Sequence, residues 1–313
     1  MKLKKPKFWD YKKPNLLSYF LLPFTLPVII NNFFLKKKKT SKISQNIKKI
    51  CIGNIYVGGT AKTPLTIKMF QILSKLNFKT ATIKKFYQQH ADEQEILAQK
   101  TKLYCSKDRI KSLNKAIEND LDVVIFDDGL QDKSINYDLT FVCFNNINFI
   151  GNGFLIPAGP LREKIEKISR YDAVFINGNK KDNTAIKLSI REHSKKIHIF
   201  ESYYDPIDID KFKADKKYLI FSGIGNPESF KETLITSNIN VIKEIIFPDH
   251  HQYTKKEIDK IKILAKNLNA KIITTEKDFV KIDNDENKDI EFLKIHLKIQ
   301  EEEKLINYLK LHL

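Results

Sequence analysis

Directly after the apolar run Ile50-Cys51-Ile52-Gly53-Asn54-Ile55, the chain reads Val57-Gly58-Gly59-Thr60-Ala61-Lys62-Thr63-Pro64. A strand that empties into a glycine-rich turn ending in Lys-Thr can hold nucleotide phosphates. Backbone N–H groups crowd around the oxygens, the lysine reaches the β/γ-phosphates, and the hydroxyl ligates Mg²⁺. The helix that follows adds the positive end of its dipole. The strict pattern G-x-x-x-x-G-K-[ST] fails twice, at Tyr56 and at Ala61. On motif grammar alone, a phosphate loop and an ordinary Gly-Gly turn between strand and helix both stand.

Two further sets carry chemistry. The run Val123-Val124-Ile125-Phe126-Asp127-Asp128-Gly129-Leu130-Gln131 delivers two carboxylates from the end of an apolar strand, some sixty-five residues after the loop lysine. Strand-end carboxylates of this kind hold Mg²⁺ in phosphate-loop enzymes, whereas an Asp-Gly turn alone would be unremarkable. The stretch Gly151-Asn152-Gly153-Phe154-Leu155-Ile156-Pro157-Ala158-Gly159-Pro160-Leu161-Arg162-Glu163 is a long, defined loop ending in a cation for phosphate and a carboxylate for metal. The chain has 51 lysines and four arginines, so its arginines mark places where a planar fork is needed. Arg162 is one. Arg109 is another, with a plain helix-surface position as the alternative.

Apolar runs predict strands near Lys48–Ile55, Lys79–Lys84, Asp122–Phe126, Leu139–Phe144, Asp172–Asn177, Lys217–Ser222, Val241–Phe247 and Lys271–Thr275. Helical patterns fall near Pro64–Leu76, Asp92–Lys100, Lys107–Asn119, Pro227–Ser237, Thr254–Asn269 and Glu301–Leu313. Such alternation predicts an α/β fold with a mostly parallel, phosphate-loop NTPase-like sheet core. The polar stretches Asn179–His198 and Asp205–Lys217 mark a boundary. The expected organisation is an N-terminal membrane-associated segment over 1–40, a phosphate-loop core over 41–200, and a smaller α/β domain over 201–313 whose last helix packs back on the core.

Composition narrows the class. With 313 residues, 42% hydrophobic and 30% charged, the chain is globular. The net charge of +17 is spread along the whole sequence, and no nucleic-acid-binding signature appears, so nucleic acid is not the expected ligand. Cys51, Cys105 and Cys143 lie far apart, which fits buried thiols in a reducing compartment.

Leu16 to Phe34 is apolar but broken by Pro23 and Pro27, with lysines at 2, 4, 5, 7, 12 and 13 before it and 36–39 after it. That is not a secretory signal. A segment lying in the interface of an anionic leaflet fits better than a single span or a plain core helix, with Trp9, Tyr11 and Tyr19 as anchors.

With these blocks in place, the chain resembles the tetraacyldisaccharide 4'-kinases of the lipid A pathway in Gram-negative bacteria. That family shows V-G-G-T-G-K-T-P, D-D-G-x-Q, G-N-G-x-L-x-P-A-G-P-L-R-E, G-I-G-N-P, F-P-D-H-H-x-Y and T-E-K-D. Here they read Val57–Pro64 with Ala61 for Gly, Asp127–Gln131, Gly151–Glu163, Gly223–Pro227, Phe247–Tyr253 and Thr275–Asp278.

The resemblance implies ATP-dependent phosphorylation of the 4'-hydroxyl of tetraacyldisaccharide 1-phosphate by a peripheral or monotopic protein at the cytoplasmic face of the inner membrane. ATP and Mg²⁺ are the implied cofactors, the lipid and an anionic membrane surface the partners, with no obligate protein partner. It assigns nucleotide contact to Val57–Pro64, with Lys62 on the β/γ-phosphates, and metal to Thr63, Asp127, Asp128 and Glu163. Substrate contact falls to Tyr87, Glu93, Arg109, Gln131 and Arg162. The base is Asp92, from a G-D-E block that reads Ala91-Asp92-Glu93 here, assisted by His250. On this reading the two come from separate domains and meet on closure. Taken alone, Asp92 is better read as an acid favourable at a helix N-terminus. His250-His251 lacks a third ligand at metal spacing.

Three departures stand out. The family's S-R-G-Y-G is replaced by Lys84-Lys85-Phe86-Tyr87-Gln88; Asp132 replaces a histidine, and Lys164 a proline. They bear on lipid-headgroup contacts more than on nucleotide. A phosphate-loop kinase for another lipid or sugar is one alternative. A non-catalytic nucleotide-binding membrane protein, suggested by Ala61 and the altered Lys84–Gln88 segment, is the other.

Overall fold

The long apolar runs form parallel strands covered on both faces. In the computed structural model, which describes residues 5–34, 47–178 and 182–313, the chain divides into two compact units. The larger comprises Lys5–Tyr87, Leu97–Tyr203 and Lys298–Leu313; the smaller contains Gln88–Ile96 and Tyr204–Leu297.

The larger unit begins with α1 (Leu16–Phe20) and α2 (Leu26–Phe34), separated by a 3-10 turn over Leu22–Thr25. Pro23 and Pro27 each sit in a first turn, where a missing N–H costs nothing, so the apolar segment is broken in the middle. Among the described residues no helix is long and apolar enough to cross a membrane. Leu16, Phe20 and Phe24 are 89%, 72% and 60% exposed. The lysines at 2, 4 and 36–39 lie outside the described residues.

There follow along the chain β1 (Lys48–Gly53), α3 (Lys62–Lys75), β2 (Thr80–Lys85), α4 (Ala91–Lys100, of which 91–96 belongs to the smaller unit), β3 (Leu103–Ser106), α5 (Arg109–Glu118), β4 (Val123–Asp127), β5 (Leu139–Asn145), β6 (Ala173–Gly178), α6 (Thr184–His193) and β7 (His198–Ile207, of which 204–207 belongs to the smaller unit). The strand order is β3-β2-β4-β1-β5-β6-β7, with every neighbouring pair parallel. Continuous burial along β4 and β6 explains their unbroken apolar sequences, as expected of a sheet covered by helices. Val124, Phe126, Val142, Phe144 and Ile176 join one core, each side chain contributing about 1.5–3 kcal/mol by burial. The register sets Ile52 of β1 opposite Asp127 of β4. The loops after these two strands therefore leave the carboxyl edge of the sheet side by side, where ligands of open α/β sheets bind.

The smaller unit holds β8 (Lys217–Ser222), α7 (Pro227–Thr236), β9 (Asn240–Ile246), α8 (Lys255–Asn267), β10 (Lys271–Thr275), α9 (Glu276–Phe279) and most of β11 (Ile290–Ile299). Its order is β11-β10-β8-β9, again parallel. Asn226 caps α7 ahead of Pro227, and Thr254 with Glu257 forms a capping box on α8. The last helix, α10 (Glu302–His312), belongs to the larger unit, where Lys68 pairs with Glu302 and Tyr308 meets Phe141 edge-on.

Eleven strands form among the described residues where sequence reading expected eight. β3 is short and only partly buried, while β7 and β11 interleave charged residues with apolar ones and so lack a clean signal. The stretch Asn179–His198, expected as a boundary, contains helix α6, and β7 runs on through Asp205 to Ile207. The units divide between Tyr203 and Tyr204, but neither is continuous in sequence: Gln88–Ile96 groups with the smaller and Lys298–Leu313 with the larger. Cys105 is exposed on its strand, unlike Cys51 and Cys143.

Candidate functional site

The turn after β1 is held from three directions. Asn54 Nδ2 donates to Thr60 Oγ1 at 2.9 Å, and Asn145 Nδ2 donates to the Gly59 carbonyl at 3.0 Å. The backbone of the 151–163 loop lies alongside, with Val57 N–H donating to Pro160 O and Arg162 N–H to Ile55 O. Gly58 has φ 141°, a conformation that side chains rarely adopt. Ala61 takes φ 65° and caps α3 in the left-handed region. The turn therefore keeps the glycine-like path despite the extra methyl, at a cost of roughly 1 kcal/mol. Lys62 and Thr63 then open α3, and Pro64 sits in its first turn, where no intrahelical N–H is lost.

Asp127 ends β4 fully buried. Thr63 Oγ1 donates to its Oδ2 at 3.0 Å, and Thr66 Oγ1 lies 3.4 Å from Oδ1. Asp128 adopts φ 55°, in the left-handed region. Its Oδ1 accepts from Arg162 Nη1 at 3.1 Å and lies 4.0 Å from Lys62 Nζ. Arg162 Nη1 also donates to Gln131 Oε1 at 3.1 Å. Gln131 Nε2 donates to the Asn54 carbonyl at 3.0 Å and lies 3.5 Å from Glu163 Oε1. Buried Glu163 pairs with Lys167 at 3.1 Å.

Arg109 is buried, which removes the helix-surface reading. Its Nη2 donates to the Asp128 carbonyl at 2.7 Å and its Nη1 to Asp132 Oδ2 at 3.1 Å, so the Asp that departs from the family pattern is the partner of this arginine. Burial alone would raise the Asp132 carboxyl, but hydrogen bonds from Ser134 and the Arg109 charge hold it below the usual range.

The oxygen donors Thr63, Asp127, Asp128 and Glu163 suit a hard divalent cation that keeps waters and shares phosphate oxygens. The surrounding bonds show these carboxylates already held by Lys84, Arg162 and Lys167, so phosphate oxygens would complete the ligand set. Lys84 was missed as a site residue: its Nζ lies 2.5 Å from Asp127 Oδ2. Phe86 has no positive φ, so the glycine of the family pattern is not imitated there. Tyr87 is exposed, with Lys85 Nζ 5.6 Å above its ring.

Asp92 and His250 both belong to the smaller unit, so their pairing does not require two domains to meet, contrary to expectation. His250 Nδ1 lies 3.0 and 3.1 Å from the Asp92 carboxylate oxygens. His250 sits at φ 57°, and its N–H donates to the Gly223 carbonyl. Lys277, from the Thr275–Asp278 block, lies 3.7 Å from Asp92 Oδ2, 3.4 Å from Glu93 Oε1, 3.3 Å from Asp249 Oδ1 and 3.4 Å from His250 Nε2. Lys281 is 3.8 Å from Asp92 and 2.5 Å from Asp278. Asp278 in turn accepts from the Gly223 N–H at 2.9 Å.

A His250 tautomer with its proton on Nδ1 would donate to Asp92 and accept at Nε2 from Lys277. Burial by itself would raise the Asp92 carboxyl. The His250 hydrogen bond and the Lys277 and Lys281 charges overcome that and keep it below the usual carboxylate range. The Lys277 ammonium, which burial would lower, is instead pushed above the usual lysine range by Glu93, Asp249 and Asp92.

His90 stacks on His250 with centroids 4.3 Å apart. His90, Glu93 and His250 bring possible ligand atoms within 4.8 Å of one another. The rings are parallel to within 5°, so one ion cannot lie in both ring planes, and Lys277 already supplies a cation there. Sequence reading missed Lys277, Lys281 and His90. The T-E-K-D block was the signal for the first, taken there only as a family mark.

The N-terminal segment docks on the larger unit's loops. Trp9 Nε1 donates to Pro157 O at 3.0 Å, Asn152 Nδ2 to Ser18 Oγ at 3.0 Å, and Asn32 Nδ2 to Arg162 O at 2.9 Å. Tyr56, the residue in place of the first loop glycine, hydrogen-bonds Lys5 and Asp10 through its hydroxyl.

Comparison with known proteins agrees with this arrangement. The family model described as tetraacyldisaccharide-1-P 4'-kinase matches residues 15–313. A tetraacyldisaccharide 4'-kinase of Pelagibacter ubique is 48% identical over 310 residues, covering 99% of this chain and 98% of that protein. One from Rickettsia bellii is 36% identical over 301 residues, covering 90% of each. The crystal structure of LpxK from Aquifex aeolicus in complex with ATP superposes with TM-score 0.70 at 22% identity, over 94% of this chain and 99% of that one, and shows the same fold.

Proposed function

The chain belongs to the tetraacyldisaccharide 4'-kinase family, and from that premise we propose how its residues divide the ATP-dependent 4'-phosphorylation of the lipid A precursor. The observation that carries the reading is the Thr63–Asp127 hydrogen bond, which joins the glycine-rich turn to the strand-end carboxylate. It supports Val57–Pro64 as the seat of the ATP phosphates, with Lys62 on the β/γ-phosphates and the N-terminus of α3 adding its dipole.

Thr63, Asp127, Asp128 and Glu163 would organise Mg²⁺, with Asp127 acting through Thr63. With Mg²⁺ bound, negative charge on the transferring and leaving phosphates is neutralised. Arg162, already directed at Asp128 and Gln131, stands ready to turn its fork to an anionic group, and Arg109 keeps the Asp128–Asp132 turn in shape. Tyr87, Glu93 and Gln131 complete the proposed substrate contacts.

Asp92 accepts the 4'-hydroxyl proton. His250 fixes the orientation of its carboxylate through Nδ1–H, and Lys277 keeps it ionised at neutral pH. The base and the phosphate loop must act on one reacting oxygen, so closure of the smaller unit is part of this proposal. The exposed apolar residues of α1 support peripheral attachment to the cytoplasmic face of the inner membrane.

The test is transfer of γ-labelled phosphate from ATP to tetraacyldisaccharide 1-phosphate in detergent micelles. Wild type labels the lipid and Lys62→Ala does not. ATP binding without lipid labelling by wild type would overturn this assignment in favour of a different acceptor or a non-catalytic role.

A further inference from the structure

Lys84 closes β2 directly beside the end of β4, because the parallel register pairs its Cα with that of Asp127. Its Nζ lies 2.5 Å from Asp127 Oδ2, and the two side chains are 4% and 0% exposed. Thr63 Oγ1 donates to the same oxygen. This position reads serine in the S-R-G-Y-G pattern, so the ammonium is a feature of this sequence rather than of the pattern.

A buried carboxylate needs a compensating charge. Here the charge is covalently part of the chain and present before any ligand arrives. A free divalent cation approaching Thr63 would have to shed water, displace an ammonium from Asp127, and face a fixed like charge within a few ångströms. A cation carried on nucleotide phosphates meets a different balance, since their negative charge offsets Lys84.

Resting on the nucleotide site described above, we propose that Lys84 is a positioning residue that acts as an internal counter-ion. It holds Asp127 in its bond with Thr63 and excludes free divalent cations, so that metal enters with the nucleotide rather than ahead of it.

The test is a Mn²⁺ titration of the full chain in detergent, followed by loss of the free Mn²⁺ electron paramagnetic resonance signal, with and without ADP. Wild type and Lys84→Arg are expected to take up Mn²⁺ only with ADP, whereas Lys84→Gln takes it up alone, about tenfold or more tightly than wild type does. Equal uptake without nucleotide by wild type and Lys84→Gln would overturn the inference while leaving the nucleotide site intact.

Should Lys84→Gln fail to fold, wild type decides. Micromolar uptake of Mn²⁺ without nucleotide, lost in Thr63→Ala, overturns the inference, and absence of such uptake supports it. Failure of wild type to bind Mn²⁺ with ADP would overturn the nucleotide-site reading itself, and this inference with it.

Discussion

His250 Nδ1 faces both carboxylate oxygens of Asp92, at 3.0 and 3.1 Å, although 158 residues separate the two in sequence. The pair is complete within one compact unit, braced by Lys277 and Lys281. Its chemistry is therefore set by local packing, and the first predictions concern that packing.

Asp92→Asn removes the proposed proton acceptor while keeping shape, and is expected to lower kcat by roughly 10²–10⁴-fold. The carboxyl is depressed in the folded state, so its contribution to stability is complete above the ordinary carboxylate range near about 4 and disappears as pH falls through the depressed value. The difference in Tm between wild type and Asp92→Asn should thus be constant near neutrality and shrink in acid. A difference unchanged down to about pH 3 would show that the Asp92 charge contributes nothing.

Lys277→Met removes a cation shared by Asp92, Glu93 and Asp249. Burial then acts on Asp92 with less opposition, so its pKa rises and the acid limb of the kcat profile moves to higher pH. Stability should fall by about 2 kcal/mol, because a partly buried charge network loses its centre. A pH–rate profile superimposable on wild type would remove Lys277 from the base's environment.

Ala61→Gly should stabilise the protein by about 0.5–1 kcal/mol, since the left-handed backbone at φ 65° no longer carries a Cβ penalty. Nucleotide affinity should hold or improve. Chemical denaturation and ATP titration check both, and a drop in stability would mean the methyl makes packing contacts worth more than the strain.

Leu16→Ser with Phe20→Ser replaces two exposed apolar side chains without touching the hydrogen bonds of Ser18 or Asn32. Sedimentation with anionic vesicles should fall several-fold while Tm and ATP binding stay at wild-type values. Undiminished sedimentation would place the membrane contact elsewhere.

The parts legible in sequence were those whose signal is local. Unbroken apolar runs at β4 and β6 announced strands buried on both faces, and the glycine-rich turn, the Asp127-Asp128 strand end and the Arg162-Glu163 loop, singled out from their residues, do lie together. Lys84 was read only as a departure, because its bond to Asp127 depends on the register of β2 against β4, strands that are not consecutive in the chain. The shared unit of Asp92 and His250 was hidden for a related reason: nothing near Asp92 shows that Gln88–Ile96 groups with residues beyond 203. The edge strand β3 and the mixed-polarity strands β7 and β11 escaped because half-exposed strands lack a strong apolar run.

The segment that exposes Leu16 and Phe20 is bonded through Asn32 to the carbonyl of Arg162, and through Lys5 and Asp10 to Tyr56 at the mouth of the nucleotide turn. Thermodynamic reciprocity makes this bonding a two-way conduit: whatever factor lipid adsorption imposes on ATP affinity, ATP imposes on lipid adsorption. A vesicle partition coefficient measured at rising ATP concentration is thus also a reading of the coupling between the exposed apolar segment and the glycine-rich turn.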